Sequence, residues 1–307
     1  MNKTALLFAG QGAQVIGMGK DMAEKFPSAR AWFDRANAAL GYDLASVCFH
    51  GPEAELTKTE NAQPAIFFVS WVAFQLLKEQ VPQLQFEATA GLSLGEFTAL
   101  TAAGAMGFED GLRVVRQRGK FMQEACESTK GSMAAVIGLD EGPTREVCAE
   151  AGVVLANLNC PGQLVISGES EKVLKACELA KAKGARKAIP LAVAGAYHSP
   201  LMASAQPKLA AELARAKLSP PGVPVISNVT AEASGPDIAA KLVEQVCAPV
   251  RWESSMRHLL AQGYTRFIEL GPGTALSGFM KRIDKTARML NVADVASLET
   301  TAKALST

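Results

Sequence analysis

Phe86-Glu87-Ala88-Thr89-Ala90 runs directly into Gly91-Leu92-Ser93-Leu94-Gly95, and an Ala- and Leu-rich segment follows to Ala103. Residues 86–90 read as a short strand ending at Gly91, and residues 94–103 as a helix. A serine between glycines on a strand-to-helix turn has the pattern of a nucleophile elbow. The glycines make room for a tight backbone, and the helix N-terminus favours a developing oxyanion. A serine can also simply cap a helix; the glycines on both sides favour the nucleophile.

Outward from this turn, strands and helices alternate. Residues 6–8 read as a first strand leading to Gly10-Gln11-Gly12, followed by a helical stretch over 18–40 with a break at Pro27. Residues 64–77 are apolar nearly all round, which predicts a buried helix. Residues 109–127 form an amphipathic helix rich in arginine.

The middle changes character. Strands are expected over 133–138, 153–157, 163–167 and 186–193, with helices over 143–151 and 169–184. Asn159-Cys160-Pro161-Gly162 marks a turn between the central two strands. The order β-α-β-β-α-β is the ferredoxin-like pattern. Alternation then resumes: strands over 223–227 and 266–270, helices over 238–247, 254–262 and 275–283. The reading is an α/β protein with a large discontinuous domain, residues 1–128 and 196–307, interrupted by a small ferredoxin-like subdomain, residues 129–195.

Composition sets bounds. With 49% hydrophobic and 20% charged residues the chain reads as a soluble globular protein, and a net charge of +1 provides no global field for nucleic acid or an anionic membrane. The six cysteines contain no CxxC pair, so no zinc or dithiol motif is suggested, and reduced thiols point to the cytoplasm. Met1-Asn2-Lys3 and the short apolar run after it do not make a signal peptide; they are expected to lead into a buried first strand. No stretch approaches the ~20 apolar residues of a membrane helix.

A serine hydroxyl needs a base. His50, His198 and His258 are the only histidines. His258 falls in a helical stretch and His50 in a turn before Gly51-Pro52, whereas His198 lies in Gly195-Ala196-Tyr197-His198-Ser199-Pro200, where the inserted segment returns to the large domain. His198 is therefore the candidate base. Gly10-Gln11-Gly12-Ala13-Gln14 follows a strand but has neither a Gly-Lys-Ser/Thr continuation nor the third glycine of a dinucleotide fingerprint, so it fits a turn or one wall of an oxyanion hole. Arg113, Arg116, Arg118 and Lys120 share one helix, which usually means a solvated face; one arginine facing a cleft could instead hold a carboxylate bidentately, and spacing alone does not select which. Glu269-Leu270-Gly271-Pro272-Gly273 reads as a structural turn.

Together these segments resemble the malonyl-CoA:acyl-carrier-protein transacylase family of fatty acid synthesis. The resemblance runs from Phe8 to about Ile283 and is carried by residues 8–14, Gln63-Pro64-Ala65, 91–97, 117–124, 195–202, Pro249-Val250-Arg251-Trp252 and 269–276, in order. It implies an α/β-hydrolase-like domain with the ferredoxin-like insertion. It implies Ser93 as nucleophile, His198 as base, the N–H groups of Gln11 and Leu94 as oxyanion hole, and Arg118 with Gln63 at the substrate. It also implies that the main-chain carbonyl of Gln245 orients the histidine, in a pair without a carboxylate third member. The expected activity is S-malonyltransferase, with malonyl-CoA and an acyl carrier protein as partners, a CoA thioester as substrate, no metal or other cofactor, and a monomeric chain. A trans-acting acyltransferase of a polyketide synthase and, less favoured, a serine thioesterase or esterase are the alternatives. The sequence departs from the family's pattern at Leu92, where histidine is usual, at Tyr197, where phenylalanine is usual, and at Ala9, where proline is common. Leu92 makes the pocket beside Ser93 more apolar. Tyr197 keeps the bulk that disfavours a branched acyl group.

Overall fold

The computed structural model describes residues 3–306, so Met1, Asn2 and Thr307 lie outside the described residues. The strands are β1 Lys3–Phe8, β2 Ala88–Gly91, β3 Gly131–Ile137, β4 Val154–Cys160, β5 Gln163–Glu169, β6 Lys187–Pro190, β7 Val225–Ile226, β8 Tyr264–Leu270 and β9 Arg288–Val292. They form two sheets. A parallel five-stranded sheet has the order β7-β2-β1-β8-β9, and an antiparallel four-stranded sheet has the order β4-β5-β3-β6.

β1 sits at the centre of the parallel sheet, and Thr4 to Phe8 are all buried because apolar side chains cover both faces. Leu6 and Phe8 point into one cluster, Ala5 and Leu7 into another. The all-round apolar segment is a helix, Thr59–Gln80, buried along most of its length. Its inward side contributes Ile66, Phe67 and Val69 to the same cluster as Leu6 and Phe8. Each such side chain contributes roughly 1.5–3 kcal/mol on burial.

The small sheet has its own apolar cluster, in which Ala134, Val136 and Ile166 meet Val147 and Val173 of the helices Glu141–Ala151 and Ser170–Ala182. Alternation along β3 sends Met133 and Ala135 to the opposite face, toward the parallel sheet's end. Main-chain bonds tie the two parts: Val250 N–H donates to the Ala156 carbonyl at 2.8 Å, and Leu158 N–H to the Val250 carbonyl at 2.9 Å.

Several elements differ from expectation. The strand expected over 186–193 is only Lys187–Pro190; Leu191 N–H still donates to the Met133 carbonyl at 2.9 Å, but Val193 N–H folds back onto the Leu191 carbonyl at 3.0 Å, a tight turn that takes the chain off β3 to line a cleft. β4 extends to Cys160, so the turn is confined to Pro161-Gly162. His50 ends the helix Leu44–His50, and the turn begins at Gly51. The helix Ala205–Arg215, strand β9 and the helix Val295–Ser306 have no counterpart in the sequence reading. Among the described residues no helix is long and apolar enough to cross a membrane.

Candidate active site

Ser93 stands between β2 and the helix Gly95–Ala102 with φ 52°, a left-handed backbone that costs a non-glycine residue about 1–3 kcal/mol. Neighbouring backbone enforces the turn. A Cβ on Gly91 would lie 1.9 Å from the Gly95 backbone, and one on Gly95 would lie 2.2 Å from the Phe8 carbonyl oxygen. No side chain fits either place, which explains the two glycines. The Ser93 N–H donates to Asn228 Oδ1 at 2.6 Å, and Asn228 Nδ2 donates to the Gly91 carbonyl at 2.8 Å. Asn228 therefore staples the strained turn from outside.

His198 also has a left-handed backbone, φ 55°, and the residue is 4% exposed. Its Nε2 lies 2.8 Å from Ser93 Oγ, and its Nδ1 lies 2.9 Å from the Gln245 carbonyl oxygen. A carbonyl can only accept, so Nδ1 carries the proton and Nε2 presents its lone pair to the serine hydroxyl. Burial first, and then the nearby Arg118 charge, push the imidazole pKa down to about 4 against the opposing bond to the Gln245 carbonyl. The ring is thus a neutral acceptor at physiological pH.

Burial selects among the cations of the helix Phe108–Glu127. Arg113 is exposed and pairs with Asp110, and Arg116 bonds Asn61 Oδ1 at 2.9 Å. Arg118 is 1% exposed. Its Nη1 donates to Gln63 Oε1 at 2.6 Å, and its Nη2 reaches Gln245 Oε1 at 3.0 Å and Ser93 Oγ at 3.2 Å. Its Nε finds no partner among the described residues. Burial lowers its pKa to about 10 while the Glu96 carboxylate opposes that shift, so the guanidinium stays charged at neutral pH. A donor-rich cation this close to Ser93, with an unused N–H, suits an anionic group on the acyl chain.

The Gly10-Gln11 loop abuts the elbow: a Cβ on Gly10 would lie 2.4 Å from the Leu92 carbonyl oxygen. The main-chain N–H groups of Gln11 and Leu94 meet no acceptor among the described residues, whereas those of Ser93 and Gly95 are both engaged. Gln11 is held from its side chain, with Nε2 3.2 Å from Thr59 Oγ1 and 3.4 Å from the Tyr197 hydroxyl. Tyr197 and Thr59 are themselves hydrogen-bonded.

These groups open into a cleft of about 780 Å³ between the two sheets. Gly10–Gln14, Leu92, Ser93, Tyr197 and His198 line its inner end; Met133, Asn157, Asn159 and Val165 of the small sheet line one wall. Gln63, Arg118 and Gln245 lie behind this surface, fully buried. Glu269 lines the cleft and also caps the helix Ala275–Ile283, accepting from Leu276 N–H at 2.9 Å and Ser277 N–H at 2.8 Å. Every residue nominated from the sequence is therefore in or directly behind one site. Sequence reasoning did not find Asn228 or the buried Glu96.

Comparison with known proteins gives a consistent set. The acyl transferase domain family matches residues 5–303. The malonyl CoA-acyl carrier protein transacylase of Bacillus subtilis (strain 168) is 46% identical over 97% of this chain and 96% of its own. The solved malonyl CoA-acyl carrier protein transacylase of Coxiella burnetii superimposes with TM-score 0.96 at 36% identity, covering 100% of this chain and 98% of that one. A malonyl-transacylase solved in complex with a type II polyketide synthase acyl-carrier protein superimposes with TM-score 0.94 at 40% identity, covering 98% and 99%.

Proposed function

The chain belongs to the acyl transferase domain family, among its malonyl CoA-acyl carrier protein transacylases, and from that premise we propose how its site moves malonyl from malonyl-CoA to the phosphopantetheine thiol of an acyl carrier protein for fatty acid synthesis. The carrying observation is Ser93 Oγ held at 2.8 Å from His198 Nε2 and 3.2 Å from Arg118 Nη2, a base and a carboxylate anchor converging on one hydroxyl.

The transfer is ping-pong. His198 Nε2 takes the Ser93 proton as Oγ bonds to the thioester carbonyl carbon. The N–H groups of Gln11 and Leu94 face the oxyanion; losing one such donor costs roughly 3–4 kcal/mol of barrier. The carbon–sulfur bond breaks, and CoA leaves with the proton from His198. The carrier thiol then gives its proton to His198 and attacks the malonyl-serine, and Ser93 recovers its proton as its ester bond breaks. Arg118 holds the malonyl carboxylate throughout, with Gln63 fixing its Nη1. Incubation with malonyl-CoA is expected to leave a malonyl adduct on the Ser93 peptide by mass spectrometry. An adduct elsewhere overturns the assignment.

The low pKa of His198 has a kinetic consequence. The base works only when neutral, and burial and Arg118 oppose its protonation. The acylation rate should stay level from neutrality to about pH 5 and fall tenfold per pH unit below about 4. An acid limb near the ordinary histidine value of 6.5 would count against this reading.

Tyr197 has a role beyond bulk. Its hydroxyl bonds Thr59 and Gln11, the residue whose N–H faces the oxyanion. Tyr197→Phe keeps the ring and removes both bonds of the hydroxyl, of which the one to Gln11, about 1 kcal/mol, bears on the oxyanion donor, so kcat should fall roughly fivefold with malonyl preference over branched acyl groups retained. Unchanged kcat in a steady-state transfer assay would leave the hydroxyl without a part in catalysis.

The same reading extends to architecture. The order of the small sheet and its separate apolar cluster support a ferredoxin-like subdomain over residues 129–195, inserted into an α/β-hydrolase-like domain formed by residues 1–128 and 196–307. Six unpaired thiols, five of them buried, support a cytoplasmic setting. We infer a monomer needing no metal or other cofactor, since the chemistry uses one chain's residues and the substrate thioester.

Delivery to a polyketide carrier is the second reading, favoured by the likeness to the polyketide complex; comparing purified carrier proteins separates the two. A thioesterase fits less well. Asp110 pairs with Arg113 at the surface, Asp140 is exposed ahead of the helix Glu141–Ala151, and the Nδ1 of His198 already faces a carbonyl rather than an acid.

A further inference from the structure

Among the described residues no carboxylate touches Ser93 or His198, yet a buried carboxylate stands one residue removed from both. Glu96 is 2% exposed and sits in the first turn of the helix that starts at the elbow. One oxygen, Oε2, accepts from the Asn228 N–H at 3.1 Å and from Gln245 Nε2 at 2.7 Å. Each of those residues holds one member of the pair. Asn228 takes the Ser93 N–H through Oδ1 and secures the Gly91 carbonyl through Nδ2. Gln245 presents its main-chain carbonyl to His198, and its Nε2 also donates to the Ser93 carbonyl at 3.0 Å. Glu96 additionally settles which way the Gln245 amide faces: its carboxylate and the Ser93 carbonyl require the NH₂ on one side, and Arg118 requires the oxygen on the other.

Resting on the Ser93–His198 reading above, we propose that Glu96 is the positioning residue of the pair, a single acceptor oxygen that fixes the strained serine turn through Asn228 and the histidine carbonyl through Gln245. The residues concerned lie far apart in sequence, on three segments, and Glu96 is where they meet. The arrangement also keeps the Ser93 N–H occupied, which leaves the Leu94 N–H as the free donor at the turn. Position rather than charge is the contribution. Both bonds fall on Oε2, so Oε1 can carry a proton without loss of either, and burial pushes this carboxyl up to about 7.

Two conservative variants separate position from charge. Glu96→Asp keeps the carboxylate and withdraws it by one methylene; kcat for malonyl transfer should fall about 10²-fold, the cost of roughly 1 Å of misplacement, with KM for malonyl-CoA unchanged. Glu96→Gln keeps an acceptor oxygen in place without the charge and should restore most of that kcat. Labelling of Ser93 by phenylmethylsulfonyl fluoride, which makes no use of Arg118, should slow in parallel in Glu96→Asp. An aspartate variant more active than the glutamine variant, or a loss confined to KM with labelling unchanged, would overturn the proposal. Asn228→Ala offers a route that leaves Glu96 in place: combined with Glu96→Asp it should cost no more than the larger single loss, and free energies that add would again overturn it. Ser93→Ala in the same assay keeps the two layers distinct: transfer without Ser93 refutes the underlying pair, whereas loss of transfer in Ser93→Ala with Glu96→Asp unimpaired refutes the role of Glu96 alone.

Discussion

Ser93→Ala is expected to lower kcat for malonyl transfer by about 10⁴- to 10⁶-fold, the range seen when a serine nucleophile working with a histidine base is removed. In the proposed route the variant would keep Arg118, Gln11 and Leu94 for the thioester and its oxyanion but lose the hydroxyl that carries the acyl group. The fold should survive. Alanine meets the same cost of a left-handed φ as serine, and the Ser93 N–H and carbonyl remain bonded to Asn228 and Gln245. KM for malonyl-CoA should therefore change little while the burst of CoA release disappears. His198→Ala should cost a similar amount, and the double variant no more than the larger single loss, because the two side chains act as one unit. Pre-steady-state CoA release and intact-mass measurement check all three. Multiplicative losses would mean that Ser93 and His198 do not share a step.

Much of this was legible because the decisive features are local. Gly91 is forced by backbone within the turn and Gly95 by the neighbouring β1 backbone at Phe8, but both leave a local GxSxG mark, and glycine or proline punctuation marks the ends of most strands. The β-α-β-β-α-β order emerges from such punctuation. What the sequence hid is long-range. Glu96 occupies a first helical turn, where an acid is unremarkable because the helix dipole favours one. Only the fold brings it to Asn228 and Gln245. Asn228 looks like a loop amide until its side chain is found on the Ser93 N–H. Among the cations the helical period groups Arg113, Arg116 and Lys120 on one face and sets Arg118 on the other, with Val115 and Met122; that signal lay unused in the sequence, and packing shows Arg118 turned inward beside Phe97. β9 was missed because it is a half-buried edge strand without a clear alternating pattern.

Arg118→Ala should reverse the preference between malonyl-CoA and acetyl-CoA. In the proposed route the malonyl carboxylate meets the buried Arg118 guanidinium, whose Nη1 and Nη2 are oriented by Gln63 and Gln245. Truncating one partner of a buried, hydrogen-bonded charge pair costs about 2–5 kcal/mol, which is roughly 30- to 5,000-fold in kcat/KM for malonyl-CoA. The native enzyme should disfavour acetyl-CoA for the converse reason, since that substrate would leave Arg118 desolvated and without an anion to pair with. Removing the guanidinium lifts that penalty, so acetyl-CoA should lose little or gain. Arg118→Lys should fall between: a shorter point charge reaches Ser93 poorly and cannot serve Gln63 and Gln245 together. The variant orphans two amide oxygens, but Glu96 and the Ser93 carbonyl still fix the NH₂ of Gln245, so the carbonyl on His198 should stay in place. Paired measurements of kcat/KM on the two thioesters decide the matter. A loss confined to malonyl-CoA assigns Arg118 to the acyl carboxylate, whereas an equal loss on both assigns it to support of the Ser93–His198 pair through Gln245.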